Sequence, residues 1–126
     1  MLFRSRAVIT LGDPMYPQVL LETADPPLLL YTQGRAELLQ AEAVAVVGSR
    51  NPTPQGTDNA RAFSAHLSRA GLTVISGLAL GIDAAAHEGG LEGAASTVAV
   101  VGTGLDRVYP RANLVLAHRI DRKSVV

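Results

Sequence analysis

The 126-residue sequence contains no cysteine, so it can form neither a disulfide bond nor a thiolate metal site. It has no run of about eighteen apolar residues, so no membrane-spanning helix is expected. It also lacks an excess of positive charge, because eleven basic and eleven acidic residues give a formal net charge of zero. Any site for a polyanion must therefore be local. Hydrophobic residues make up 48% of the chain, enough for the core of one domain, and we expect a cytoplasmic protein.

Lysine is almost absent as well. The only lysine, Lys123, lies among the last six residues, whereas the chain contains ten arginines. Reverse translation shows that the two ends can be encoded by opposite strands of one oligonucleotide that resembles a sequencing adaptor. We therefore predict that residues 1–5 and 121–126 are adaptor-encoded, and that residues 6–120 are part of a longer protein.

The remaining sequence divides near residue 43. Residues 6–42 are predicted to form a lead-in that is interrupted by prolines and contains a short strand at 28–31. Residues 43–120 are predicted to form a partial Rossmann-like domain. They contain three short β-branched runs, each ending at or near a glycine, at 44–47, 73–75 and 97–101. Such runs are typical of strands buried on both faces of a parallel sheet.

Two amphipathic helical patterns separate the three runs. The first has an apolar face of Ala60, Phe63, Leu67 and Ala70, and the second a face of Ile82, Ala85, Ala86 and Gly89. The alternation predicts a βαβαβ unit with right-handed crossovers, which is half of a doubly wound α/β sheet of Rossmann type. We expect the first and third runs to be neighbours and a third helix at about 112–120. A half-sheet leaves an unpaired apolar edge, which predicts poor stability or association.

The loops after the three predicted strands share a chemistry that suits phosphate. Folds of this kind bind ligands at the carboxyl ends of their strands. Glycine lets a ligand approach backbone N–H groups, and an arginine fork can pair with a phosphate. Any one loop alone is explained by a tight turn, but the three together favour a site. The predicted DNA- or phosphate-binding residues are Gly48, Ser49, Arg50, Ser76, Gly77, Gly81, Gly102, Thr103 and Gly104.

These loops differ from the common nucleotide-binding motifs. The Gly-x-Gly sequence at 102–104 lacks the third glycine of an NAD site, and no acidic residue ends the second strand. No GKS or GKT sequence occurs, which excludes a Walker ATPase for this segment. His, Asp and Glu do not cluster at metal-ligand spacing, and no Ser-His-Asp arrangement can be argued. We therefore predict no metal, no cofactor and no catalytic residue.

Three residues are predicted to support the loops. Asp83 lies in the first turn of the second helix, where a carboxylate can cap the helix or fix the preceding loop. It could also pair with His87 four residues later, which is usually a local helix contact. Asp106 and Tyr109 follow the third loop. Tyr109 is expected to order that loop by packing, and stacking on a base is the weaker alternative.

Several of these segments resemble the DNA-processing protein A family (DprA, also called Smf). The resemblance covers about residues 9–120. Its most specific part is the string from serine-glycine-leucine-alanine to glycine-isoleucine-aspartate at 76–83. The other matching segments are residues 48–50 and 102–106 with Tyr109, Pro110 and Asn113, and, in the lead-in, residues 16–20 and 25–31 with Gly34.

The resemblance implies an extended Rossmann domain that binds and protects single-stranded DNA during natural transformation. It further implies loading of the RecA recombinase, a homodimer, no enzymatic activity, and DNA contact by Arg50. The family's later arginine-rich segment, remaining strands and dimer surface would follow residue 120. The alternative is a nucleotide-binding or nucleotide-cleaving Rossmann enzyme of the phosphoribohydrolase type. Its proline-glycine-glycine-x-glycine-threonine loop and catalytic glutamate have no counterpart at 101–106.

Overall fold

The computed structural model describes residues 6–105 and 110–126 as an α/β chain. Its strands and helices follow one another as β1 (Arg6–Thr10), β2 (Leu29–Gln33), β3 (Ala43–Ala45), α1 (Pro54–Arg69), β4 (Thr73–Ser76), α2 (Ile82–Gly90), β5 (Thr97–Ala99) and α3 (Leu114–Lys123). Short 3-10 helices span Gln18–Glu22, Ala36–Gln40 and Arg111–Asn113. Across the described ranges, every helix is too short or too polar to cross a lipid bilayer.

The three β-branched runs form a three-stranded parallel sheet. Ala43 lies opposite Thr73, and Val74 lies opposite Thr97, so the strand order is β3-β4-β5. This confirms the predicted βαβαβ half of a Rossmann-like α/β fold. The expectation that the first and third runs are neighbours is wrong, because β4 lies between them. Each crossover places the new strand beside the one just formed, so the chain moves in one direction across the sheet.

The lead-in forms a separate antiparallel pair of strands. Arg6 lies opposite Gln33 and Thr10 lies opposite Leu29. Strand β2 confirms the strand expected near 28–31. Strand β1 was not predicted, because only Ile9 among its five residues is buried and the segment has little of the alternation that indicates a strand.

Residues 124–126 join the two sheets. Val125 pairs in parallel with Val98 on one side and antiparallel with Gly34 on the other, and its side chain is fully buried. A Cβ on Gly34 would overlap the Ser124 carbonyl oxygen, so this close approach requires glycine. Asp121 also accepts a hydrogen bond from Gln33, at 2.8 Å. The adaptor origin of residues 1–5 and 121–126 stays a prediction, but residues 121–126 are integral to this fold, whereas residues 1–5 lie outside the described ranges.

Helices α1 and α2 pack against each other through small residues. The buried side chains of α1 are Ala60, Ser64, Ala65 and Ser68. The predicted apolar face of α1 is confirmed at Ala60 but wrong at Phe63, which is 67% exposed, and at Ala70, which is exposed as well. The predicted face of α2 is confirmed at Ala85, Ala86 and Gly89, which are buried. Close approach of the two backbones selects small side chains over large apolar ones at the contact.

Helix α3 completes the core at the carboxyl end of β5. Leu116, Ala117 and Ile120 of α3 pack with Leu78, Leu91 and Ala99 in one buried cluster. The helix confirms the one expected at about 112–120. Because Leu78 belongs to the loop after β4, this cluster fixes that loop to the body of the protein.

Candidate nucleic-acid interface

The carboxyl ends of β3, β4 and β5 lie at one edge of the parallel sheet, as the topology requires. The structure therefore brings the three predicted loops, at 48–50, 76–81 and 102–104, to the same edge. The two predicted support residues Asp106 and Tyr109 lie outside the described residues. Among the predicted residues that the structure describes, some have unpaired hydrogen-bond donors, and others donate to groups within the protein.

The loop after β3 presents unpaired hydrogen-bond donors. The backbone N–H groups of Gly48, Ser49 and Arg50 donate to no described residue, and all three residues are exposed. The Ser49 Oγ accepts from the Asn51 N–H at 3.0 Å, which leaves its own O–H free to donate. Together with the Arg50 side chain, these groups form a local cluster of donors suited to an anion.

The arginines of α1 differ from Arg50 in having carboxylate partners. Arg61 pairs with Glu88 at 3.0 Å and with Asp58 at 3.6 Å, and Arg69 pairs with Glu92 at 3.2 Å. The Arg50 guanidinium has no such partner among the described residues. The described part of the chain also holds no group of three His, Asp or Glu side chains that could bind a metal ion. Arg50 is therefore available to an external anion.

Two glycines pack the first loop against the start of α2. The Ile82 N–H donates to the Ser49 carbonyl oxygen at 3.1 Å. Gly81 has a φ of +83°, and a Cβ there would overlap the same oxygen. A Cβ on Gly48 would lie 2.8 Å from Ile82 Cγ1. Gly48 and Gly81 were predicted to contact a ligand, and the structure places both where they let the two loops touch.

The donors of the loop after β4 are used inside the protein. The Ser76 hydroxyl donates to the Val46 carbonyl oxygen at 2.7 Å and so links β4 to β3. The Asp83 Oδ2 accepts from the Gly77 N–H at 3.1 Å and from the Ala79 N–H at 3.3 Å. These are the loop-fixing contacts that the position of Asp83 predicts. The hydroxyl hydrogen of Ser76 and the amide hydrogen of Gly77 are thus donated within the protein and are not free to bind a ligand.

Leu78 lies at the centre of this loop in an unusual backbone conformation. Its φ is +63°, a left-handed value that costs a residue with a side chain about 1–2 kcal/mol. Its side chain is 2% exposed, in the core beneath α3. Its N–H donates to His87 Nε2 at 3.1 Å, and its carbonyl oxygen accepts from Asn113 Nδ2 at 2.9 Å. Burial and these hydrogen bonds offset the backbone strain.

His87 is a fully buried, neutral side chain. Because Nε2 accepts from Leu78, the proton lies on Nδ1 and is donated to Thr97 Oγ1 at 2.7 Å. Thr97 Oγ1 in turn donates to the Val74 carbonyl oxygen at 2.6 Å. Burial lowers the pKa of His87 from 6.5 to about 4, and the Asp83 carboxylate opposes this change. The imidazole is therefore a fixed hydrogen-bonding part of the scaffold at neutral pH.

The sequence did not identify His87 and Asn113 as supports of the loop. Spacing suggests His87 only as a helix partner of Asp83, and the structure instead bonds it to Leu78 and Thr97. The sequence feature that could have indicated the burial of His87 is its position directly after the apolar stretch at 84–86. Asn113 offered no signal beyond its part in the family resemblance, because its contacts are with residues more than thirty positions away.

The loop after β5 is open on one side. A Cβ on Gly102 would have no atom within 4 Å, so sterics do not require glycine there. Thr103 and Gly104 line a cavity of about 810 Å³ between β5 and the lead-in, together with aliphatic side chains and Tyr31. Gly102, Thr103 and Gly104 are exposed, and among the described residues no hydrogen bond joins them to the first loop. The third loop thus extends the strand-end edge toward the lead-in.

The fold and the donor-rich loop define a Rossmann-like α/β domain with a cluster of unpaired hydrogen-bond donors at the carboxyl edge of its parallel sheet. The chain belongs to the DNA recombination-mediator protein A family, whose family model matches residues 7–126. The resemblance to DprA and Smf proteins is therefore confirmed.

Solved structures of this family share the fold. The X-ray structure of DprA from Streptococcus pneumoniae superposes with a TM-score of 0.89 at 40% identity, covering 98% of this chain and 44% of that chain. DNA processing protein A from Helicobacter pylori, described for its single-stranded DNA binding mode, superposes with a TM-score of 0.85 at 28% identity. That match covers 97% of this chain and 54% of the other.

Curated relatives of known sequence carry the same family names. Protein Smf of Synechocystis sp. is 40% identical over 122 residues, and DprA of Streptococcus pneumoniae is 43% identical over 114 residues. These matches cover 94% and 90% of this chain but only 31% and 40% of the relatives. The chain thus spans roughly a third of the length of such proteins.

Proposed function

We propose that this chain belongs to a protein that binds single-stranded DNA, and that a backbone phosphate binds at residues 48–50. The observation that carries the proposal is the group of three consecutive unpaired N–H donors beside the unpaired Arg50 guanidinium. A phosphate can accept from several such donors and form a bidentate pair with arginine. The Helicobacter pylori relative, a single-stranded DNA binding protein of the same fold, supports this assignment.

The predicted residues take different roles in this proposal. Ser49 and Arg50, with the Gly48 N–H, donate to the phosphate. Ser76, Gly77 and Gly81 give the edge its shape, because their donors or backbones are engaged within the protein or against Ser49. Gly102, Thr103 and Gly104 contact the next part of the strand. Asp83, Asp106 and Tyr109 support the loops.

For the whole protein we propose the role that family membership favours. It protects single-stranded DNA in natural transformation and loads the RecA recombinase onto it, as a homodimer in the cytoplasm. These activities concern a protein about three times the length of this chain. The present residues contribute the phosphate-binding edge, within a partial domain at 43–120 that follows a lead-in at 6–42.

We further propose that the site binds without catalysis. Among the described residues, the acidic side chain beside the loops, Asp83, accepts from the Gly77 and Ala79 amides rather than being exposed as a general base. A phosphoribohydrolase would instead need a carboxylate directed at the ribose of a nucleotide. Binding through phosphate gives affinity with little sequence preference.

Fluorescence anisotropy with a labelled oligothymidylate tests the proposal. We expect saturable binding that weakens as salt rises, because phosphate contacts release counterions. A duplex of the same length is the control and should bind more weakly. Absence of binding at low salt overturns the proposal. Release of free base from a nucleoside monophosphate, followed by chromatography, would favour the phosphoribohydrolase alternative.

A further inference from the structure

We propose that Asn113 and His87 are positioning residues for the DNA site. They brace the turn at 77–79, and through Gly81 they hold residues 48–50 in the conformation that presents donors to a phosphate. This inference rests on the proposed function. Neither residue hydrogen-bonds to residues 48–50, so their effect must be transmitted through the turn.

The brace uses every backbone polar group of two consecutive residues. The Leu78 N–H donates to His87 Nε2, and its carbonyl oxygen accepts from Asn113 Nδ2. The Ala79 N–H donates to Asp83 Oδ2, and its carbonyl oxygen accepts from Asn113 Nδ2 at 3.2 Å. A turn with no free polar backbone atom at its centre has little freedom to rearrange. Its function is therefore support, not donation to a ligand.

The two braces are themselves anchored on other elements. His87 reaches the parallel sheet through Thr97 of β5, whose hydroxyl donates to Val74 of β4. Asn113 ends the short helix Arg111–Asn113, which precedes α3, and is 7% exposed. The turn after β4 is thus fixed both to the sheet and to the segment that follows the third loop.

The turn transmits its position to the first loop by direct contact. Leu80 and Gly81 lead from the brace to Ile82, whose N–H donates to the Ser49 carbonyl oxygen. The contact at Gly81 leaves no space even for a methyl group. This is the hydrogen bond that ties the backbone at 48–50 to another described element. Displacement of the turn would therefore release the donor-bearing loop.

Loss of a positioning residue has a different signature from loss of a phosphate contact. A loop that must be ordered during binding lowers the affinity by the cost of ordering. The number of phosphates neutralised in the complex does not change, so the dependence of affinity on salt keeps its slope. A residue that touches phosphate changes both quantities.

The test compares Asn113→Leu with Thr73→Val in oligothymidylate binding by the 126-residue chain. Each change keeps the number of side-chain heavy atoms; Asn113→Leu removes the two hydrogen bonds to the turn, and Thr73→Val removes one, to Ala95, at the opposite end of β4. We expect Asn113→Leu to weaken binding about tenfold with an unchanged salt slope. Thr73→Val should change affinity by less than about twofold, although it also lowers stability.

A conservative variant separates hydrogen bonding from packing at His87. Glutamine can still accept from the Leu78 N–H, whereas leucine cannot. We expect His87→Gln to restore most of the affinity that His87→Leu loses. Equal losses in both variants would show that the imidazole contributes shape only and would overturn its positioning role.

Amide hydrogen exchange of the free chain provides the second readout. The Leu78 and Ala79 amides should exchange at least about tenfold faster in Asn113→Leu than in Thr73→Val. Unchanged exchange and unchanged affinity in Asn113→Leu overturn the inference, as does a flattened salt slope, which would mark a direct phosphate contact. If the unsubstituted chain binds no oligothymidylate, the proposed function fails and the binding role of the brace fails with it. Protection of the two amides would still decide whether the brace exists.

Discussion

Gly89 lies so close to Arg61 that a Cβ built on the glycine would overlap the arginine's carbonyl oxygen. Helices α1 and α2 therefore meet backbone to backbone. The contact lies near the carboxyl end of α2, whose amino-terminal end, with Gly81 and Asp83, arranges the loops of the proposed site. Because α2 is one continuous helix, its packing against α1 also sets where its amino-terminal end lies at the proposed phosphate-binding edge.

Two serines one turn apart on α1 should respond to alanine in opposite ways. Ser64 is fully buried, and its Oγ has no hydrogen-bond partner among the described residues. Ser68 is 1% exposed and donates to the Gly90 carbonyl oxygen at 2.7 Å. We expect Ser64→Ala to be neutral or stabilising, and Ser68→Ala to cost about 1–2 kcal/mol. Urea unfolding measures both, and equal destabilisation would show that Ser64 has a partner.

Arg50→Ala should weaken binding to all single-stranded sequences alike. Removal of a charge-assisted bond to phosphate corresponds to roughly 1–3 kcal/mol. The slope of log affinity against log salt should also fall by about 0.7 for each phosphate that the variant no longer neutralises. Arg61→Ala and Arg69→Ala are the controls, because both arginines are paired with carboxylates on α2 or just after it. Unchanged affinity and salt slope in Arg50→Ala, with the fold intact, would contradict the assignment.

Stability should fall as the pH falls from about 6.5 to about 4, because of His87. Burial holds its folded pKa at about 4, below the ordinary value of 6.5. In that window the unfolded chain takes up a proton that the folded chain does not, so acid favours unfolding. The full difference corresponds to roughly 3 kcal/mol. Urea unfolding at several pH values, with His87→Gln as the reference, isolates this effect; a constant difference between the two proteins would refute it.

The free edge of β3 should promote association. Among the described residues no strand pairs with its outer side, and Ala45 in the strand is exposed. Ala45→Lys places a charge on this edge and should reduce concentration-dependent association, as measured by sedimentation. Phe63→Ser removes an exposed ring on α1 without altering the edge and should have the smaller effect. If Phe63→Ser alone yields a monomer, the contact lies on α1 instead.

The parallel sheet was predictable because its signals are local. The runs at 44–47, 73–75 and 97–101 are β-branched and end near glycine, and composition of this kind reflects burial on both faces of a sheet. The positions of the strand-end loops follow from the same pattern. Which strands are neighbours does not, because side-chain composition says nothing of the direction in which the chain crosses the sheet.

The remaining errors arise where a partner element decides the outcome. The pattern of α1 favoured Phe63 as a core residue, but Gly89 brings a second backbone so near that only small side chains fit. The spacing of His87 suggests a helix contact with Asp83, whereas the left-handed Leu78 directs its amide at the imidazole. Likewise, the Ser76 hydroxyl and the Gly77 N–H, which were predicted to face a ligand, donate to Val46 and Asp83. Each case depends on a contact between residues that the local pattern does not connect.

The pairing of Val125 with Gly34 and Val98 has a consequence for folding kinetics. The strands on its two sides come from segments far apart in the chain, so the contact closes a long loop and carries a corresponding entropic cost. Contacts of this kind slow folding relative to local helix formation. We expect the βαβαβ unit to form first and the lead-in to attach late, when residues 124–126 enter between β5 and Gly34. The two sheets would then be separate in the early intermediate and continuous only in the native state.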